Sequence, residues 1–157
     1  RPNNIIAFGE PDDAVTLTGV ASYLKGFCTG KPTSYRALTG ATARKGGSDV
    51  EVAQSTARKI SQLVYSADGK APEVNLRPPE DVQLDNGSST GTLVTAVVRH
   101  PAPGPCDAPT SVVHVLARGN DGTASVVHIG MAEQDVPKAF PAESLRTLTL
   151  SFRPAAK

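Results

Sequence analysis

Between Ser111 and Met131 the chain reads SVVHVLARGNDGTASVVHIGM, two alternating runs on either side of Asn120-Asp121-Gly122. Alternation at a period of two marks strands with one buried face. The central triplet fits a three-residue hairpin loop, a type I turn followed by a left-handed residue that only glycine supplies cheaply. That loop sets Gly119 opposite Thr123. Val113 then faces Ile129, Val115 faces Val127 and Ala117 faces Ser125 on one side. Leu116 faces Val126 and His114 faces His128 on the other. The first side is apolar enough to be a core face; the second is mixed. A slip of one residue would send every side chain to the wrong face, so the matching supports the turn.

Other segments repeat the period of two. Thr92 to His100 predicts a strand, with Val94, Ala96 and Val98 on one face. Glu73 to Leu76 and Val82 to Leu84 read as two pieces of one strand, interrupted by Pro78-Pro79 and closed by a turn at Asp85-Asn86-Gly87. Proline removes a ladder donor, which puts this strand at an edge or at a bulge. Leu145 to Arg153 predicts the last strand, with Leu148, Leu150 and Phe152 on one face and Thr147, Thr149 and Ser151 on the other.

Two stretches follow a helical period instead. From Pro11 onward, Ala14, Leu17, Ala21, Leu24 and Cys28 fall on one stripe, with Val20 and Phe27 flanking it. Glu10, Asp12 and Asp13 suit the positive end of that helix, and Gly26 and Gly30 can stop it. Ser34 to Leu38 predicts a further helical turn, and Gly40 to Gly47 a loop. In the second stretch Ser48 and Glu51 form a capping-box pattern ahead of the stripe Ala53, Ala57, Ile60 and Val64. The expected fold is a single α+β domain over residues 1–157, with residues 1–9 as an N-terminal arm. Its N-terminal helices pack on the concave face of a curved antiparallel sheet of about four strands.

A chain of 157 residues can bury most of its apolar surface as one domain. The formal charge of +1 provides no overall pull toward nucleic acid or a membrane surface. Aromatic residues make up 4% and Trp is absent, which argues against stacking platforms for bases or sugars. No run approaches the roughly 18 apolar residues of a membrane span. A start at Arg1 rather than Met reads as a processed piece, and any membrane tie would lie in a segment upstream of it.

Cys28 and Cys106 each sit beside turn-forming residues. They read either as two separate buried thiols or as one disulfide, which would stabilise by roughly 4 kcal/mol in the chain-entropy model. The even count, in a chain rich in Thr, Ser, Ala, Gly and Pro, favours the disulfide and an extracytoplasmic setting. His114 and His128 could bind a metal or sense pH, with His100 and Asp107 as guesses for a third ligand. Two half-buried or surface sheet histidines are the simpler reading, so no metal, no other cofactor and no catalytic residue is assigned. No nucleophile elbow, phosphate loop, Cys-x-x-Cys or His-Glu-x-x-His pattern occurs.

Residues Phe8 to Leu38, with Tyr23-Leu24-Lys25-Gly26 at the end of the first expected helix, resemble the opening of small cystatin-like domains. These belong to the nuclear-transport-factor-two-like superfamily. Thr92 to Phe152 is similar to that superfamily in its succession of long strands. The nearest resemblance is to the extracytoplasmic domains of TcpC/VirB-type conjugative-transfer scaffold proteins. It implies a non-enzymatic assembly domain of a cell-envelope secretion or conjugation complex, with protein partners or self-association and no nucleic acid. The candidate interaction surface is the mixed hairpin face: Val112, His114, Leu116, Val126 and His128. The alternative is a small hydrophobic-ligand-binding protein or enzyme that uses the cone between helices and sheet, or a secreted binding or inhibitor module.

Overall fold

Strands dominate from the beginning of the chain. The order is β1 (Ile6–Phe8), β2 (Val15–Tyr23), β3 (Ala37–Arg44), α1 (Asp49–Tyr65), β4 (Glu73–Leu76), β5 (Glu80–Leu84), β6 (Ser89–Arg99), β7 (Thr110–Asn120), β8 (Ala124–Gln134) and α2 (Ala142–Leu150). The structure, a computed structural model, describes residues 4–101, 103–120 and 124–152. All eight strands join one sheet in the order β1-β2-β3-β8-β7-β6-β4, with β5 also paired to β6. Every pairing is antiparallel. α1 packs on one face of the sheet and α2 on the other. The expected layer of N-terminal helices on a sheet of about four strands is therefore wrong.

The error begins at β2. Residues Val15 and Leu17 point inward and Thr16 and Thr18 outward, as in any half-buried strand. Thr18 then pairs with Ala41 but Ala21 with Thr39, so Gly19 and Val20 stand opposite Gly40 alone. Gly19 takes a left-handed φ of +62° at this bulge. The inward positions thus run Val15, Leu17, Val20, and a Cβ on Gly40 would meet both Leu17 and Val20 within 3.3 Å. A bulge turns spacing of two into spacing of three, and that imitates a helical stripe.

The segment expected as a turn and a loop is instead β3, which runs beside β2 and β8. Its sequence, ALTGATAR, carries little bulk, and Gly40 is needed where β2 lies close. The last element is also reversed: Ala142–Leu150 is a helix, not a strand. Its Leu-Thr alternation fits either state over so short a window. Leu145 and Thr149, four residues apart, are buried against the sheet while Leu148 is 40% exposed, which is a helical pattern.

α1 forms as expected. The Ser48 side chain accepts from the Glu51 amide and the Glu51 side chain reaches back to the Ser48 amide, 3.2 and 3.0 Å, completing the capping box. Ala53, Ala57 and Ile60 are buried with Val52 against Val94, Ala96, Val98, Val113 and Val115. Asp49 accepts from the Gly119 amide and the Ser125 hydroxyl, both at 2.8 Å, and so ties the helix start to the β7–β8 hairpin.

The hairpin itself pairs Asn120 with Ala124, Gly119 with Ser125 and Val113 with Met131. The pairing is displaced by two positions from the expected one. A shift of two preserves side-chain parity, so both faces are as expected although each partner is different. His114 lies opposite Gly130 and His128 opposite Leu116, not opposite each other. The expected loop at Asp121 and Gly122 lies outside the described residues. At the other edge, Leu76 pairs with Ala96 and Glu80 with Leu93. Arg77, Pro78 and Pro79 thus span Val94 and Thr95, a bulge in an edge strand built around the two prolines.

Candidate functional site

At the end of the sheet beside the C-terminus of α1, two irregular segments and a helix end meet. They are the 24–34 loop, the 100–109 connection and the last turn of α1. Cys28 and Cys106 form a disulfide there, with Cα atoms 5.8 Å apart. The first loop is held by its own turns: Gly26 donates to the Ser34 carbonyl at 2.6 Å, and the Cys28 amide to the Ser34 hydroxyl at 3.1 Å. The second is held by Asp107, whose carboxylate accepts from the Gly104 amide at 2.8 Å.

The segments enclose an open cleft of about 250 Å³. Its walls carry Phe27, Lys31, Tyr35, Arg36, Tyr65, His100, Asp107 and Glu133 together with both cysteines. Three of the chain's seven aromatic residues (four Phe and three Tyr) are among them, so a scarce resource is concentrated here. Arg36 organises one wall. Its guanidinium lies 3.8 Å from the Phe27 ring centroid, pairs with Glu133, and donates to the Cys106 carbonyl at 3.1 Å.

Tyr65 and His100 form the opposite wall, with ring centroids 4.6 Å apart. Nε2 of His100 is hydrogen-bonded to Ser111 Oγ at 2.7 Å, and the Tyr65 hydroxyl is bonded to the same serine. Burial shifts all of these groups toward their neutral forms. Tyr35 is pushed up to about 12 by burial and then by the Glu133 carboxylate. Tyr65 is raised further, again chiefly by burial. His100 is lowered by burial against the opposing pull of Asp107, so its imidazole is uncharged at neutral pH. Glu133 is raised by burial, with Arg36 opposing.

The cleft thus offers neutral hydrogen-bonding groups and a balanced charge set, Lys31 and Arg36 against Asp107 and Glu133. A His-Ser pair suggests acyl chemistry, but Ser111 is fully buried under the cleft and presents no hydroxyl to a substrate. The serine instead orients His100 and Tyr65.

The histidines singled out from the sequence lie elsewhere. His114 and His128 are on the other sheet face, buried under α2 with Leu116. Val112 and Val126 share that face and are partly covered. α2 therefore occupies the surface expected to meet a partner. His100 and Asp107 face the cleft, across the sheet from His114 and His128. Among the described residues no group of three or more His, Cys, Asp or Glu is placed to hold a metal ion. No described helix is long and apolar enough to cross a membrane. The sequence pointed to the two cysteines, His100 and Asp107 but not to Tyr35, Arg36, Tyr65 and Glu133 as site residues. The available signal was Tyr65 in the last turn of a capped helix; nothing local marks the other three.

No curated protein and no solved structure matches the chain. A family model does, over residues 1–157, under the description "Domain of unknown function (DUF8017)". The chain therefore belongs to the DUF8017 family, whose description assigns no activity.

Proposed function

We propose that this is an extracytoplasmic recognition domain that binds a small, polar, net-neutral ligand in the disulfide-stapled cleft without transforming it. The observation that carries this reading is the convergence of Tyr35, Tyr65, His100 and Glu133, all shifted by burial, around one open cleft. Neutral hydroxyl and imidazole groups recognise hydroxyl, amide or zwitterionic ligands. The balanced charges of the wall disfavour a strongly charged one. The disulfide supports an oxidising compartment. An assembly role in a secretion or conjugation complex, acting through the β7–β8 face, has less support because α2 covers that face.

The test is a screen of small neutral and zwitterionic compounds, monosaccharides and free amino acids among them, followed by amide chemical shifts. Binding should move the amides of Tyr35, Tyr65, His100 and Cys106 together, and Tyr35→Phe should weaken it about tenfold, the cost of roughly one hydrogen bond. Shifts confined to α2 or to the β1–β2 edge would sink the reading.

A further inference from the structure

The mixed face of the hairpin lies under α2, on the opposite side of the sheet from α1. α2 is a helix of nine residues with Pro141 at its N-cap, no side-chain cap and no basic residue in its last turn. Such a helix is marginal alone and persists through docking. It docks through Leu145 and Thr149 onto the sheet at Gly130, where an added Cβ would collide with the Thr149 hydroxyl and sit 3.1 Å from Leu145 Cδ1. Two imidazoles lie beneath its ends. His128 stacks on Phe152, with centroids 5.0 Å apart and planes 4° from parallel. His114, 5% exposed, lies under the first turn, with Nδ1 hydrogen-bonded to Thr95 Oγ1 at 2.9 Å.

We infer that α2 is an acid-released latch: protonation of His114 beneath its first turn unseats the helix and opens the β7–β8 face, leaving the α1 side of the sheet folded. The groups facing His114 are the Ala142 backbone, Glu143 and Arg146 from α2, Glu80 from β5, and Thr95 from β6, with the His128 imidazole of β8 diagonally across the pair on the same face. Arg146 is paired with Glu80 at 2.8 Å, so the cation opposing a charged imidazole is tied in place and one of the two carboxylates is already engaged. Burial outweighs these groups and holds the His114 pKa below 6.5. The docked helix therefore binds fewer protons at this site than the released one. Its docking constant is unaffected at neutral pH and falls by up to about tenfold per pH unit once pH drops below the free histidine value.

Hydrogen exchange of the 145–150 amides, corrected for intrinsic rates, tests this between about pH 7.5 and pH 5.0. Protection should fall severalfold, and by no more than about thirtyfold, in this helix while the α1 amides 53–60 keep theirs. His114→Gln should abolish the acid-dependent part. Parallel loss in α1, or an unchanged acid response in His114→Gln, would overturn the proposal. Gly130→Ala gives a second test that does not depend on that variant folding. It lifts α2 with His114 intact, so the His114 ring should titrate closer to 6.5 than in the native protein, by the reciprocity of linked equilibria. An identical titration midpoint in both proteins would equally overturn the latch.

Discussion

Removing the Cys28–Cys106 bridge should cost a large share of the domain's stability. The bridge spans 78 positions of sequence. In the chain-entropy relation, a closed loop of that length withholds about 15 cal/mol/K from the unfolded chain, or about 4.5 kcal/mol at 25 °C. A domain of this kind has on the order of 5–15 kcal/mol in total. The perturbation is the double variant Cys28→Ser with Cys106→Ser, which avoids a lone reactive thiol. Urea unfolding followed by circular dichroism measures it. The midpoint should fall, and the m-value should rise because the unfolded chain, no longer cross-linked, exposes more surface. The loss acts mainly through the unfolded state, so the sheet and α1 should keep their spectra below the transition. A change under about 1 kcal/mol would refute the reasoning, since it would mean that the unfolded chain gains almost nothing from release of the loop.

Arg36→Met keeps an unbranched apolar stem but removes the guanidinium from the Phe27 ring and strips Glu133 of its cation. It should destabilise by about 3 kcal/mol at neutral pH, because a mostly buried carboxylate is left unpaired. The sign with pH follows from Glu133: its folded pKa is already raised by burial and rises again without Arg36. The deficit should therefore be smallest below pH 4.5, where the carboxyl is protonated in both states, and should grow as pH rises; unfolding curves at several pH values would show a flat deficit if this is wrong. Ser48→Ala should remove one half of the capping box and cost about 1 kcal/mol, seen as a fall of about 2–4 °C in Tm with α1 still formed.

The mismatch between pattern and fold takes a different form in each element. In β2 one extra residue at Gly19 broke the alternation and produced an apparent helical stripe through Leu17 and Val20. In α2, Leu148 and Leu150 alternate with threonines as a strand would, yet the segment lies across the sheet rather than beside it. The cleft was legible only through Cys28, Cys106, His100 and Asp107. Arg36 and Glu133 lie 97 positions apart, and their pairing depends on β3 lying beside β8, which no local pattern announces.

By itself the sequence determined the features that depend on neighbours a few residues away. These are the capped helix at Ser48, the two faces of β6, β7 and β8, the prolines confined to an edge bulge, and an even pair of cysteines suited to one bridge. Side-chain parity and helix capping are local properties, so they survive a register error of two. Tertiary structure alone decided the hairpin register, the strand identity of β2 and β3, the helical state of α2, and the meeting of Tyr35, Arg36, Tyr65 and Glu133 at the disulfide. Each of those depends on contacts between distant segments, where burial of one element against another outweighs the small differences in intrinsic propensity.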